Sequence, residues 1–349
     1  AVVKQCVLFS AGAVLLAGCA EPTHPLAGIP DIVQADFTSA ISASVVDIHA
    51  HIQELQVISL CEEIGGKLGS VSISDCLAQN LIHGGQHSVN FRPLVVREFR
   101  PGDDQQAAPK VLILGGIHGD EYSSISIMFH WMDLVERDAA RSLHWRFMPA
   151  VNPDGLLDGE ARRQNSNDVD LNRNFPSLDW AGRAETHWRV VTGSNPRRYP
   201  GEEPASEPEV RWLMEQIDSF QPDVIVSVHA PYHLLDFDGP TQAPDRIGEL
   251  YLHQVGVYPG SLGNYAGIDL GIPAVTIELP SAGIMPTDEQ VATTWTDLVA
   301  WLTEGLIFLA SALLVSKNSA RFPLILPRSG NAFCPRPRAA EVDDDLGRT

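Results

Sequence analysis

Basic residues are scarce in this chain of 349 residues. It has 24 Lys and Arg residues against 44 Asp and Glu residues, which gives a formal net charge of -20 at pH 7. Nucleic-acid binding needs basic patches that neutralise phosphates, so this balance argues against a nucleic-acid partner. It argues equally against adhesion of the surface to anionic lipids. The sequence also has no internal repeat, which excludes the repeat architectures.

Apolar runs long enough to cross a membrane are also lacking. Residues 2–17 are mostly apolar with Lys4 as the only charge, and this run is too short to span a bilayer as a stable helix. Residues 305–315 are strongly apolar and form a shorter run still. We therefore expect residues 305–315 to be a buried end of the last helix rather than a transmembrane segment.

The N-terminal run leads into a motif that resembles a bacterial lipoprotein signal. The tripeptide Leu-Ala-Gly at residues 16–18 precedes Cys19, and in such signals this Cys becomes lipidated. Residue 20 is Ala rather than Asp, which by resemblance to the Gram-negative sorting pattern favours the outer membrane. We therefore expect a signal peptide over residues 1–19, a lipid anchor on Cys19, and a location on the periplasmic face of the outer membrane. The alternative is a buried N-terminal helix.

Cysteines are few, with five in the whole chain. Cys6 and Cys19 belong to the predicted signal, and Cys334 lies in a Pro- and Arg-rich tail with no assigned role. Cys61 and Cys76 are 15 residues apart, in a segment with little helix or strand signal. In an oxidising periplasm they would close a disulfide worth about 3 kcal/mol. The alternative is two unpaired buried thiols.

Side chains that suit metal binding or catalysis follow three apolar runs. Such runs are typical of buried strands, and in open α/β sheets sites form beyond the carboxyl ends of the strands. The three runs and the residues that follow them are 111–114 with His118, 224–228 with His229, and 274–277 with Glu278. We therefore predict an α/β fold with a site at this edge of the sheet.

Two imidazoles and one carboxylate form a candidate set of metal ligands. His118 and Glu121 are three residues apart, and Glu121 opens an apolar-periodic stretch that predicts a helix to about residue 137. Zinc favours imidazole and carboxylate ligands, and catalytic zinc sites keep three protein ligands and one open position. His118, Glu121 and His229 fit that requirement, although affinity order alone does not exclude copper or nickel. The alternative is a loop histidine next to a helix-start acid.

Glu278 is the candidate general base of such a site. Hydrolysis of an amide needs a carboxylate that takes the proton of the attacking water and passes it to the leaving amine. Glu278 follows the apolar residues 275–277 and precedes Leu279 and Pro280, where ordinary surface charges are rare. The alternative is an acid at a strand edge that faces water.

Asn172 and Arg173 are candidates for binding a free carboxylate. The planar guanidinium of Arg matches a carboxylate with two hydrogen bonds, and the Asn amide adds a donor beside it. Binding a carboxylate next to the scissile amide fixes which bond is cut. Arg163, with Arg162 as the second choice, is a candidate for stabilising the oxyanion of the tetrahedral intermediate. The alternative for these two arginines is a solvated basic pair.

Together these segments resemble the M14 family of zinc carboxypeptidases. The matching segments lie within about residues 85–305 and are 118–121, 152–155, 163–175, 206–209, His229 and Glu278. The resemblance implies an α/β fold with a central mixed, mostly parallel twisted sheet flanked by helices, in a single catalytic domain. It implies one zinc ion on the two histidines and Glu121, carboxylate binding by Asn172 and Arg173, support of the transition state by Arg163, and Glu278 as general base.

Further segments resemble a subgroup that cleaves the γ-D-glutamyl to meso-diaminopimelate bond of cell-wall peptides. They are residues 229–232, 236–238 and 258–266. We hypothesise that Asp236 and Asp238 contact the second amine of diaminopimelate. The family places a tyrosine in a mobile loop between the last zinc ligand and the base. Tyr258 fits this position approximately because the spacing before Gly260 is short, Tyr265 is the alternative, and both also suit plain packing.

Three functions follow from these observations. The first is a zinc amidase that hydrolyses a murein peptide amide next to a free carboxylate. The second is a general zinc carboxypeptidase, or a deacylase resembling the succinylglutamate desuccinylase group. The third is a non-catalytic lipoprotein that binds wall peptides. The complete segment 170–175 fits a peptidase better than that deacylase group, and the presence of Glu278 argues against a degenerate binding protein.

The chain divides into four predicted segments. After the signal at 1–19, residues 20–84 are predicted to be a tether and a small N-terminal extension. Residues 85–316 are predicted to be the zinc peptidase domain, and residues 317–349 a disordered tail that ends in the acidic residues 341–345. Within the domain, residues 152–179 read as a long loop, which suits a substrate clamp. Ser206 and Glu209 have the spacing of a capping box at the start of a helix.

Overall fold

The computed structural model describes the backbone of residues 31–102, 108–138 and 142–319. Side chains are described for residues 48–102, 108–138 and 142–305. The predicted signal peptide with Cys19, and the tail beyond residue 319, lie outside the described residues. The contacts divide the chain after His49, and the unit from Ala50 onward carries the sheet and the site.

A seven-stranded sheet forms the centre of this unit. The strands in the described residues are β1 (Ile82–His87), β2 (Pro93–Phe99), β3 (Lys110–Gly115), β4 (His144–Met148), β5 (Val224–His229), β6 (Leu234–Asp238), β7 (Arg246–Ile247), β8 (Leu250–Tyr251) and β9 (Ala274–Glu278). The order in the main sheet is β1-β2-β4-β3-β5-β9-β6, and β7 pairs with β8 separately.

The four strands at the middle of the sheet, β4, β3, β5 and β9, are parallel. β2 and β6 run antiparallel to their neighbours, and β1 is antiparallel to β2. Five of the seven strands therefore run in one direction, which confirms the predicted mixed, mostly parallel sheet. The register places His229 at the end of β5 opposite Glu278 at the end of β9, so the carboxyl ends of these strands bring the two residues side by side.

Helices cover both faces of the sheet. They are α1 (Asp31–Lys67), α2 (Ile73–Ala78), α3 (Tyr122–Arg137), α4 (Pro153–Leu157), α5 (Trp180–Val190), α6 (Pro208–Phe220) and α7 (Asp288–Ser319). Val111 and Ile113 of β3 belong to a buried cluster with α3 and α7, whereas Leu112 and Leu114 belong to a second cluster with α6. Successive side chains of a strand point to opposite faces, so one strand contributes to two cores.

The last helix starts at Asp288, and its backbone continues to Ser319. Among the helices of the described residues, none has both the length and the apolar character that crossing a membrane requires.

The N-terminal extension is helical rather than irregular. α1 begins at Asp31, within the segment predicted to be a tether. Cys61 of α1 and Cys76 of α2 are joined by a disulfide, and both are buried. Leu60 and Ile64 of α1 belong to the same buried cluster as α3 and α7. The predicted domain boundary at residue 85 falls inside β1, because this segment supplies an edge strand of the main sheet.

The capping box predicted at Ser206 and Glu209 is wrong. α6 begins at Pro208 with Glu207 as its N-cap residue, and no side chain caps it. The Ser206 hydroxyl instead donates to Glu207 Oε1 at 2.6 Å. Glu209 is buried and accepts from Val89 N at 3.2 Å and from Asn165 Nδ2 at 3.1 Å. The adjacent Glu207 has therefore taken the Ser206 hydroxyl, and long-range partners have taken the Glu209 carboxylate.

Candidate active site

Three candidate ligands meet at the carboxyl end of the sheet. His118 lies in the loop after β3, Glu121 is the residue before α3, and His229 ends β5. His118 Nδ1 lies 2.7 Å from Glu121 Oε1, and His229 Nδ1 lies 3.1 Å from Glu121 Oε2. The two Nδ1 atoms are 3.2 Å apart, and all three residues are buried. The ligand atoms thus lie within 4.8 Å of one another.

The tight loop after β3 makes this approach possible. Gly116 has φ +63°, a left-handed conformation that glycine adopts without steric cost. A Cβ on Gly119 would overlap the backbone of Gly155. The two glycines therefore allow the chain to turn from the strand end into the start of α3, with His118 and Glu121 on the inside.

The outer ring nitrogens show how well this set fits a metal ion. His118 Nε2 lies 3.3 Å from Asp170 Oδ1, and His229 Nε2 lies 3.0 Å from Ser227 Oγ. Metal-ligating histidines characteristically direct their second ring nitrogen to such partners, which fixes the ring and its tautomer. Both Nδ1 atoms then face the Glu121 carboxylate, a donor set that suits zinc.

The electrostatics of the ligands favour cation binding. Burial lowers the pKa of His229, so its imidazole is neutral at neutral pH, the form that binds metal. Burial opposes ionisation of Glu121, but His118 and His229 outweigh it and hold the pKa of Glu121 well below its usual range. The set therefore offers one negative charge and two imidazoles.

Asp170 is a functional residue that the sequence reasoning did not single out. It is fully buried and accepts from Arg163 Nε at 2.9 Å and from Asn172 N at 3.1 Å. Burial disfavours its charge, but Arg163 and His118 hold the pKa of Asp170 well below its usual range. Its position two residues before Asn172 in the 170–175 motif was the one sequence signal that marked it.

A cleft opens over the ligands and brings most predicted site residues together. It is lined by His118, Arg163, Asn172, Arg173, Arg198, His229, Tyr232, Asp236, Asp238, Val255, Gly256, Tyr258, Ser261, Gly263, Thr276 and Glu278. Arg162 lies elsewhere and pairs with Asp158 and Asp168, so Arg163 is the arginine that reaches the cleft. Tyr258 also lines it, whereas Tyr265 stacks on Phe175 with ring centroids 5.7 Å apart.

Asn172 and Arg173 sit on a rigid turn. Asn172 Oδ1 accepts from Leu262 N at 2.8 Å, which leaves the amide group of this side chain as a donor. The Arg173 guanidinium lies 4.5 Å from the Tyr258 ring centroid, and Trp180 Nε1 donates to Arg173 O at 2.9 Å. This turn can hold a carboxylate in one orientation.

Glu278 faces the cleft beside His229. Its Oε2 accepts from Tyr232 N at 3.4 Å. Burial, followed by the negative charges of Glu121 and Asp236, raises the pKa of Glu278 well above its usual range, while Arg163 and Arg198 oppose the shift. A cation on the neighbouring ligands would oppose it further, because an opposite charge favours the ionised form.

Comparison with known proteins identifies the family to which the chain belongs. A profile of the zinc carboxypeptidase family, M14, matches residues 80–237. Murein peptide amidase A of Escherichia coli strain K12 is 31% identical over 198 residues, which is 54% of this chain and 79% of that protein. Murein peptide amidase A of Vibrio campbellii is 30% identical over 176 residues, 48% of this chain and 68% of that protein. The chain therefore belongs to the zinc carboxypeptidase family.

Two further matches were found. Rat carboxypeptidase Z is 25% identical over 183 residues, 46% of this chain and 26% of that protein. The crystal structure of murein-tripeptide amidase MpaA from Escherichia coli O157 is 26% identical with a TM-score of 0.47, covering 64% of this chain and 91% of that one. The protein is a peptidase hydrolase of the zinc amidase and carboxypeptidase type.

Proposed function

We propose that this enzyme is a zinc-dependent amidase that hydrolyses the γ-D-glutamyl to meso-diaminopimelate bond of murein peptides. One observation carries the proposal. The cleft that contains the candidate metal ligands and Glu278 is also lined by Asn172 and Arg173, which can donate hydrogen bonds to a carboxylate. The acidic residues Asp236 and Asp238 of β6 line it as well. Diaminopimelate has a carboxylate next to the scissile amide and a second amine further away. The similarity to murein peptide amidase A supports the same substrate class.

The proposed roles follow from the contacts of each side chain. When bound, zinc acidifies the attacking water and polarises the scissile carbonyl. Glu278 takes the proton of the water and passes it to the leaving amine. Arg163 is held through Nε by Asp170, and its guanidinium is assigned to the developing oxyanion.

Substrate binding falls to a second group of residues. Asn172 and Arg173 bind the carboxylate next to the scissile amide. Tyr258 stacks on the Arg173 guanidinium, and we assign it the role of the tyrosine that contacts the bound substrate. Asp236 and Asp238 are assigned to the second amine of diaminopimelate.

The test of this function uses protein that starts after Cys19, with its zinc content measured. It is incubated with L-Ala-γ-D-Glu-meso-diaminopimelate, and the products are identified by mass spectrometry. Release of free diaminopimelate by the wild type, reduced by about 100- to 10,000-fold in Glu278→Gln, is the expected result. If the zinc-loaded wild type releases no diaminopimelate, the murein tripeptide is not its substrate, and a general carboxypeptidase or a deacylase is the alternative. Protein without zinc or turnover would instead support a binding lipoprotein.

We also propose that a lipid on Cys19 anchors the enzyme to the periplasmic face of the outer membrane. The lipoprotein-like motif supports this, as does the Cys61–Cys76 disulfide, because such bonds persist in oxidising compartments. Fractionation of cells with the full chain should place the wild type in the outer membrane and Cys19→Ser elsewhere. Equal membrane association of the two would exclude this anchor.

A further inference from the structure

A third guanidinium lines the cleft besides those of Arg163 and Arg173. It belongs to Arg198, the last residue of the 3-10 turn Pro196–Arg198 between α5 and α6. None of the roles assigned above uses it. Hydrolysis at the metal, stabilisation of the oxyanion and binding of the carboxylate on the leaving-amine side are assigned to other residues.

The turn that carries Arg198 is fixed to the metal side of the cleft. Arg197 Nη1 donates to Asp120 Oδ2 at 2.7 Å, and Asp120 lies between the ligands His118 and Glu121. Gln164 Nε2, next to Arg163, donates to Pro196 O at 2.8 Å. Arg198 is thus held near the residues that surround the scissile carbonyl.

The charges around Arg198 favour an anion at this end of the cleft. Burial, followed by the positive charges of Arg163 and Arg173, lowers the pKa of Arg198 to about 9, while Asp170 opposes the shift. A bound carboxylate would relieve this repulsion, because an opposite charge favours the charged form of the guanidinium. Arg also suits the task because its fork binds carboxylates with two parallel hydrogen bonds.

The proposed substrate has a carboxylate that fits this place. In a γ-glutamyl amide the side-chain carboxyl forms the scissile bond, so the α-carboxylate of the glutamate stays free. It lies three carbons from the scissile carbonyl, on the acyl side. An α-linked peptide has a carboxylate at this distance only where the residue on the acyl side is glutamate, through its side chain. A residue that binds this group would distinguish γ-glutamyl amides from α-peptides whose acyl-side residue is not glutamate.

We propose that Arg198 binds the free α-carboxylate of the γ-linked glutamyl residue and so selects γ-glutamyl substrates. This inference rests on the proposed murein amidase function. The distal carboxylate of diaminopimelate is a second group of the substrate that could pair with Arg198. The glutamyl group is favoured because the Arg198 turn is tied to Asp120 and to the segment of Arg163, whereas Asp236 and Asp238, the residues assigned to diaminopimelate, lie on β6.

The test compares three substrates: the parent tripeptide, its analogue with the glutamyl α-carboxylate converted to a carboxamide, and its analogue with the distal diaminopimelate carboxylate converted to a carboxamide. The wild type should lose about 10- to 100-fold in kcat/KM on the first amidation, the effect of losing a charge-assisted hydrogen bond. Arg198→Met should cleave the parent and the glutamyl-amidated analogue at equal, low efficiency. Arg198→Lys should keep part of the discrimination.

Two controls accompany these variants. Arg189→Met changes an exposed arginine of α5 that pairs with Glu185, and it should behave as the wild type. Zinc content and melting temperature report whether Arg198→Met is folded, and the Arg198→Lys series tests the inference if it is not.

Each other outcome has a distinct meaning. Equal cleavage of parent and glutamyl-amidated substrate by the wild type would overturn the inference and leave the proposed function intact. So would full discrimination retained by Arg198→Met. If Arg198→Met lost discrimination only against the distal carboxamide, Arg198 would bind the distal carboxylate of diaminopimelate instead. That outcome also overturns the inference. Failure of the zinc-loaded wild type to cleave any of the three would overturn the proposed function itself.

Discussion

At the residue scale, one carboxylate, that of Asp170, joins the candidate metal ligands to Arg163, the residue proposed to stabilise the oxyanion. Its Oδ2 accepts from Arg163 Nε, and its Oδ1 lies 3.3 Å from His118 Nε2. A carboxylate behind a metal-ligating imidazole orients the ring and raises its basicity. We therefore expect Asp170 to position His118 and Arg163, the two groups proposed to act on the same carbonyl.

We expect Asp170→Asn to weaken zinc binding by about 10- to 100-fold, because the amide is a poorer partner for the His118 ring. Zinc affinity is measured by competition with a chelator, a readout that does not depend on turnover. Asp158→Asn is the matched control, since Asp158 pairs with Arg162 outside the cleft and should leave affinity unchanged. Wild-type zinc affinity in Asp170→Asn would show that Asp170 does not orient the ligand.

The two acids of β6 give a prediction about selectivity. Asp236 Oδ1 accepts from the backbone N–H groups of Phe237 and Val255, so asparagine is the suitable replacement because it keeps an acceptor. We expect Asp236→Asn or Asp238→Asn to reduce the preference for diaminopimelate over lysine peptides about tenfold, through loss of one charge-assisted hydrogen bond. The ratio of kcat/KM values measures this.

Asp218→Asn, at an exposed position of α6, is the control for these substitutions. If the ratio of kcat/KM values stays at the wild-type value in both variants, Asp236 and Asp238 do not recognise the amine.

At the scale of elements, the strand ends could be predicted and the loop contacts could not. The runs before His118, His229 and Glu278 are local patterns, and parallel strands bring their carboxyl ends to one edge, so the centre of the site follows from the sequence. The role of Asp170 and the place of Arg198 depend on partners far along the chain. Such contacts leave no periodic signal.

The start of α6 shows the same limit and leads to a prediction about pH. Glu209 is buried, and its environment, chiefly burial with Asp154 adding to it, raises its pKa from 4.5 to about 7. The unfolded chain then loses this proton at lower pH than the folded protein. The contribution of Glu209 to stability is therefore full below pH 4.5 and falls as the pH rises to about 7, by about 3 kcal/mol at most.

We expect Glu209→Gln to remove this part of the pH dependence, because a neutral amide has no proton to lose. The free energy of unfolding in urea is compared at pH 5 and pH 7.5, and the gain of the variant over the wild type should be larger at pH 7.5. Glu215→Gln, exposed on the same helix, should show no such change. A difference between variant and wild type that is the same at both pH values would contradict the prediction.

At the scale of the whole molecule, α2 and the part of α1 after His49 belong to the same core as the catalytic sheet. Leu60 and Ile64 of α1 share a buried cluster with Val111 and Ile113 of β3. The disulfide between Cys61 and Cys76 links α1 to α2 within that cluster. A bond that restrains this segment therefore stabilises the unit that carries the site, while neither cysteine lines the cleft.

We expect removal of the disulfide to lower stability and leave catalysis intact. For a loop of 15 residues the loss is about 3 kcal/mol, measured as the free energy of unfolding of the Cys61→Ala, Cys76→Ala double variant. Wild-type protein under reductant should show a similar loss, which separates the bond from the side-chain volume. The kcat/KM at 25 °C should match the wild type, because the folded state still predominates. A large fall in kcat/KM in fully folded variant protein would show instead that these helices shape the cleft.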